Sequence, residues 1–192
     1  GSVQSVSGLG FRPDLVFIKD SSTGAAVFRT SMMPGDLTFF NGTSTADFSG
    51  GITSLDVDGF SLGSHATVNS SASTYYWQAF GGAYNPDTRT GAGDFAVGAV
   101  GGSGTDNRDI GGVPFQPDLV IARKATSGTT FFRTSSHSGD STSTLTGGDG
   151  ANFIQALNSD GFQLGNPPSL NTISNVTYWV AFKEGANLNI DS

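Results

Sequence analysis

The strongest constraint on this 192-residue chain is an internal repeat: Gly8-Leu-Gly-Phe-Arg-Pro-Asp-Leu-Val16 returns as Gly112-Val-Pro-Phe-Gln-Pro-Asp-Leu-Val120. A repeated segment meets the same folding problem in both places, so an architecture assigned to one half must also serve the other. The correspondence continues from Phe28-Arg29-Thr30 to Phe132-Arg133-Thr134 and from Gly35-Asp36 to Gly139-Asp140, at a constant offset of 104. A two-residue deletion then moves the offset to 102. Asp58-Gly-Phe-Ser-Leu-Gly63 matches Asp160-Gly-Phe-Gln-Leu-Gly165, and Tyr76-Trp-Gln-Ala-Phe80 matches Tyr178-Trp-Val-Ala-Phe182.

Only 13% of the residues are charged, whereas 28 are glycine, a balance that suits short strands joined by tight turns better than helices. The net charge of −7 and the scattering of nine Lys and Arg leave no basic stripe for phosphates or anionic lipid, which argues against nucleic acid and membrane-surface partners. With no cysteine, disulfides, thiol nucleophiles and zinc-thiolate sites are excluded. No apolar run approaches a membrane span and no signal peptide is recognised, so the expectation is a mature product, an excised fragment or a virion protein.

Leu15 to Lys19 and Leu119 to Arg123 are apolar runs set behind a proline, the pattern of strands covered on both faces. Ala25 to Thr30 and Thr129 to Thr134 follow polar turns and read as their hairpin partners. A second hairpin in each copy turns at Asp56-Val-Asp-Gly59 and at Asn158-Ser-Asp-Gly161, and each copy closes with its aromatic strand. The expected fold is all-β: two homologous lectin-like or jelly-roll β-sandwich units produced by internal duplication. The first covers residues 1–84, the second residues 94–192, and residues 85–93, with Pro86, connect them.

The two copies are unbalanced at their ends. Gly93-Asp-Phe-Ala-Val-Gly-Ala-Val100 precedes the shared pattern in the second copy, while the first copy has no equivalent: its first residues, Gly1 to Val6 with Val3 and Val6 among them, align with Gly104 to Asp109, after the place where that strand should be. Beyond the last aromatic strand lie Ala186, Asn187, Leu188, Asn189, Ile190 and Asp191, with nothing in their own copy to pair with. An unpaired sheet edge is a template for a strand from elsewhere. The expectation is that residues 185–191 fill the vacancy in the first copy of the same or the next molecule, or that the chain is a cut through a longer array.

The residues suited to catalysis are sparse, with a single glutamate, Glu184, and two histidines, His65 and His137, that align with Pro167 and Met33 and so fall outside the repeated design. Asp56, Asp58, Asn158 and Asp160 form oxygen-rich turns that could hold calcium, although an Asp-Gly hairpin explains the same residues without a metal. Asp14 and Asp118, opposite Arg29 and Arg133 on the adjoining strand, could pair their charges and fix register. Period two sends Tyr75, Trp77 and Ala79 to one face of the closing strand and Tyr76, Gln78 and Phe80 to the other. Trp77, Trp179 and Tyr75 could stack on a sugar ring, with core packing as the alternative. Asn41, Asn69 and Asn175 head glycosylation-type triplets.

The series Gly10-Phe-Arg-Pro-Asp-Leu-Val16, Asp58 to Gly63, Asn69 and Tyr75 to Phe80, with its second statement in Phe115 to Val120, Asp160 to Gly165, Asn171 and Thr177 to Phe182, resembles a repeat of phage tail and virion proteins and of large bacterial surface proteins. That resemblance implies a lectin-like sandwich with a structural or adhesive role and no established active site. The expected protein is a non-catalytic subunit of a surface filament, fibre or phage appendage, extracellular or on a cell or virion surface, with itself as partner. The alternative is a carbohydrate-binding adhesion module.

Overall fold

The computed structural model describes residues 1–22, 24–43, 45–83, 85, 93–126 and 128–185. Their secondary structure is sixteen strands and one four-residue helix, so the chain is all-β. It separates into two compact units that divide between Gly82 and Ala83. The connector expected at residues 85–93 falls almost wholly outside the described residues.

The first unit contains β1 (Gln4–Ser7), β2 (Pro13–Asp20), β3 (Ala26–Thr30), β4 (Phe39–Asn41), β5 (Ile52–Asp56), β6 (Gly59–Leu62), α1 (Ala66–Asn69) and β7 (Tyr75–Gly81). One sheet runs β4-β3-β2-β7 and the other β1-β6-β5, all pairs antiparallel. Pro13 opens β2, where its missing N–H costs least. Along β2, Leu15 and Val16 point to opposite faces and both are fully buried, which explains its uninterrupted apolar run. Val16, Ile18 and Val27 from one sheet pack with Ile52 and Phe60 from the other and with Val68 of α1.

The second unit contains β8 (Phe95–Gly101), β9 (Arg108–Ile110), β10 (Leu119–Lys124), β11 (Phe131–Thr134), β12 (Ser141–Thr144), β13 (Gly147–Ala151), β14 (Ile154–Asn158), β15 (Gly161–Leu164) and β16 (Val176–Phe182). Its sheets run β13-β12-β11-β10-β16-β8 and β14-β15-β9. Pairings recur in register: Leu15↔Thr30 with Leu119↔Thr134, Ile18↔Trp77 with Ala122↔Trp179, and Val6↔Phe60 with Ile110↔Phe162. The β5–β6 and β14–β15 hairpins also share a register shift, at Ile52/Ser54 and Ile154/Ala156.

Each Asp-Gly turn is clamped by the strand beside it. The Leu9 N–H donates to the Asp58 carbonyl at 3.2 Å, and the Val113 N–H to the Asp160 carbonyl at 3.0 Å. Gly59 and Gly161 lie at φ +156° and +149°, where a Cβ would overlap the carbonyl oxygens of Val6 and Ile110. Glycine is required there because the backbone of β1 or β9 passes over the turn with no room for a side chain.

The arginines do something other than pair across the hairpin. Arg29, 6% exposed, donates to the carbonyls of Leu37 (2.7 Å), Met33 (3.2 Å) and Gly35, and the carboxylate whose charge it senses is Asp36 rather than Asp14. Arg133 repeats the clasp on Gly139 (2.7 Å), His137 (3.2 Å), Ser141 and Ile154 (3.3 Å), with Asp140 as its neighbouring charge. Burial pushes both guanidinium groups down, and the carboxylates push back up. The expected Asp14 and Asp118 partnership is therefore corrected: a planar fork of five donors suits a loop of inward carbonyls better than one carboxylate. Asp118 accepts the Glu184 N–H at 2.8 Å.

Two features escape the apolar pattern: the β12–β13 hairpin, whose strands are Ser, Thr, Gly, Asp and Ala, and α1. Where β13 lies in the second unit, the first has an isolated bridge, Thr38↔Phe48.

Gly161→Ala and Arg133→Met should each lower the unfolding free energy by about 3 kcal/mol, the first through overlap and strain, the second by stranding carbonyls; urea titration reads both. The Gly50 N–H, at 2.8 Å, above all holds the Asp36 carboxyl below the usual carboxylate range, helped by Ser49 and Arg29 against the opposing effect of burial. The resulting stability is present above the ordinary carboxylate pKa and is lost as pH falls through the lowered one, so Asp36→Asn should flatten the acid limb of a stability–pH curve.

Candidate functional site

The candidate site is the outer edge of β7, and its character follows from comparison with β16. In both strands alternate residues face the core: Tyr75, Trp77 and Ala79 in one, Thr177, Trp179 and Ala181 in the other. Each indole meets a core phenylalanine edge-on, Trp77 on Phe60 with centroids 5.4 Å apart at 76°, and Trp179 on Phe162 at 5.3 Å and 75°. The two tryptophans therefore occupy matching positions. Tyr75 anchors its end of β7, accepting the Ser70 N–H and donating to the Ala66 carbonyl, each at 2.8 Å.

The edges differ. In the second unit β8 pairs with β16 one residue to one, from Phe95↔Phe182 to Gly101↔Val176, with Gly98 opposite Trp179. A Cβ on Gly98 would overlap the indole, so this residue lets a strand cross the tryptophan at pairing distance. Among the described residues β7 pairs only with β2. The consequence is a contrast in burial: Trp179 is 3% exposed, Trp77 44%, and its neighbour Tyr76 65%. Among the described residues, then, no strand lies on the outer side of β7, and the indole beside that edge is half exposed.

The other expected residues lie elsewhere. Val6 belongs to β1, opposite Phe60, and Val3 precedes it, 69% exposed, so neither lines the β7 edge. Ala186, Asn187, Leu188, Asn189, Ile190 and Asp191 fall outside the described residues. Trp179 is enclosed by β8 and its indole cannot serve as a sugar platform; Tyr75 is committed to holding the chain around α1. Of the three stacking candidates Trp77 is the most exposed, on the core-facing side of the sheet, whereas Phe17, Lys19, Tyr76 and Gln78 line a shallow hollow of about 280 Å³ on the opposite face.

The oxygen-rich turns have structural work. The Asp58 carboxylate accepts the N–H groups of Gly8 (3.0 Å) and Gly10 (2.6 Å), and Asp56 accepts the hydroxyls of Ser54 and Ser61, both at 2.7 Å. In the second unit Asn158 donates to Asp109 at 2.9 Å and Asp160 receives Val113 through its main chain. Among the described residues no three His, Asp or Glu side chains converge as a metal's ligand set.

One cluster that sequence reasoning missed joins His137, Ser143 and Asp149, three residue types known from hydrolytic triads. Here the proton direction is wrong for a nucleophile. The Thr134 N–H donates to His137 Nδ1 at 3.1 Å, which puts the ring's proton on Nε2; Nε2 meets Ser143 Oγ at 2.8 Å, and Ser143 donates to Asp149. An activated serine must give its proton to the imidazole, the reverse of this relay. Met33 explains why the histidine is there: its sulfur accepts the Thr30 N–H at 3.4 Å, so thioether and imidazole cap the same turn in the two units. His65 likewise caps α1 by accepting the Thr67 N–H at 3.2 Å, and Asn69 and Asn171 spend their amides on the carbonyls of Gly63 (2.8 Å) and Gly165 (2.7 Å).

Gly98→Ala should displace Trp179, destabilising the second unit by about 2 kcal/mol and shifting tryptophan emission to the red, as read by fluorescence-monitored unfolding.

No family model matches the chain, and no curated protein or solved structure matches it.

Proposed function

We propose that the chain is a non-catalytic structural and adhesive repeat protein, two homologous β-sandwich units that join neighbours in a surface filament, fibre or phage appendage by strand addition at β7. The observation that carries the reading is the mismatch between equivalent edges: β8 lies along β16, and among the described residues nothing lies along the outer side of β7. A sheet edge with a neighbouring strand in one unit and, among the described residues, none in the other supports a role in which strand addition completes the sheet. The recurring registers and the repeated arginine clasps support descent of the two units from one.

A second reading is favoured by one observation, the half-exposed indole of Trp77, a flat apolar surface suited to a sugar ring. In that case the protein is a carbohydrate-binding module and Trp77 its platform.

Light scattering and negative-stain microscopy of the full chain, and of a version ending at Glu184, test the first reading. Concentration-dependent oligomers or filaments are expected from the full chain, and their loss on truncation would identify the tail as the joining strand. A monodisperse monomer at every concentration counts against assembly. Glycan-array binding that disappears in Trp77→Ala would support the second reading instead.

A further inference from the structure

The outer face of the larger sheet in the second unit carries a hollow at a position that the first unit fills. Phe131 lies in the core and Thr142 turns inward to the main chain of Ile154, so their neighbours Phe132 and Ser143, opposite one another on β11 and β12, face away from it. Ser143 is in turn opposite Asp149 on β13, and His137 reaches over the row to touch both Phe132 and Ser143. In the first unit Phe39 holds the place of Ser143, opposite Phe28; the two rings meet edge-on with centroids 5.5 Å apart, and both are buried. At the same offset of 104, Met33 and Leu37 give way to His137 and Ser141. Three apolar residues have been exchanged for three polar ones, and Phe132 is left half-buried at the wall of a hollow of about 470 Å³.

We propose that this hollow binds a neutral saccharide, one sugar ring laid against Phe132 with its hydroxyls on Ser143 and Asp149. The inference depends neither on strand addition at β7 nor on a platform at Trp77.

Size, charge and prior order all point to that ligand. The volume falls in the range of small-molecule sites, roughly 300–1,000 Å³. An aromatic ring beside hydroxyls and a carboxylate matches a pyranose, which has an apolar C–H face and a hydroxyl rim. Among the described residues Asp149 is the one charged side chain of the lining, and His137 is neutral because its Nδ1 accepts the Thr134 N–H at 3.1 Å. A phosphate, a sulfate or an acidic peptide would meet a like charge there with no lysine or arginine to offset it. The relay from His137 Nε2 to Ser143 Oγ, 2.8 Å long, and from Ser143 to Asp149 holds hydroxyl and carboxylate in place before a ligand arrives. The bonds that deny Ser143 a nucleophile's role therefore lower the ordering cost of binding.

Amide NMR spectra of the full chain test the proposal, recorded with D-glucose, D-galactose, D-mannose, L-fucose or N-acetyl-D-glucosamine at about 10 mM, roughly ten times a millimolar Kd. At least one sugar is expected to shift the amides of Phe132, His137, Ser143 and Asp149. Asp149 is exposed, and Asp149→Ala should weaken that binding at least about tenfold while leaving the fold intact. Ser143→Phe, which fills the hollow as Phe39 fills its counterpart, should abolish binding, and Trp77→Ala should leave it unchanged; the same spectra report whether each variant is folded. Shifts confined to the surroundings of Trp77 and lost in Trp77→Ala would overturn this site and leave the carbohydrate-binding reading standing. Silence from every sugar overturns both, and strand addition is still decided by oligomeric state. Undiminished affinity in Asp149→Ala, or a response of the same amides to calcium or inorganic phosphate in place of sugars, also overturns the assignment.

Discussion

The packing of an indole against a phenylalanine ring organises each unit. Phe60 and Phe162 sit in the three-stranded sheets, Trp77 and Trp179 in the larger ones, so the edge-on pair draws residues of both sheets into one apolar cluster. An indole is large enough that everything around it must adapt. The glycine of β8 is one adaptation, and the alternation of small and large residues along β16, with Ala181 following two places after Trp179, is another.

A second level of order comes from polar groups turned inward. The loops after β3 and β11 double back and aim several carbonyls at one point, an arrangement that would be costly in an apolar interior without a multivalent donor. A buried arginine supplies it in each unit. The same economy appears at Asn171, whose amide donates to Gly165 and Thr105 while its oxygen accepts from Ser103, binding the chain before β9 to the segment before β16. In these places side chains satisfy main-chain groups; an ion pair between described residues joins Lys19 to Asp20.

Much of this was legible in the residues. The apolar runs at Leu15 and Leu119, the Asp-Gly turns and the aromatic closing strands all became strands or turns where their periodicity placed them, and the extra strand at Phe95 was visible as an unmatched alternating segment. The role of the arginines was not legible, because sequence shows opposite charges at suggestive spacing but not loops of inward carbonyls. The β12–β13 hairpin escaped because its residues are small and polar, leaving hydrophobic period nothing to report. The His137, Ser143 and Asp149 cluster joins the loop after β11 to β12 and β13, and so could not be seen before that hairpin was. The fate of the tryptophans was not legible either: Trp77 and Trp179 share a local sequence pattern, and Trp179 is the more deeply buried because β8 runs beside it.

β7 also lacks the guards with which open edges are usually kept from one another. Natural sheets blunt exposed strands with lysine, proline or an inward charge. The seven residues Tyr75 to Gly81 contain none of these, and three of them are aromatic residues placed side by side. Such a strand is poorly suited to a solitary existence at high concentration. An edge of this composition carries an aggregation hazard whenever it is left uncovered, so what lies beside it bears on the solubility of the chain as well as on its stability.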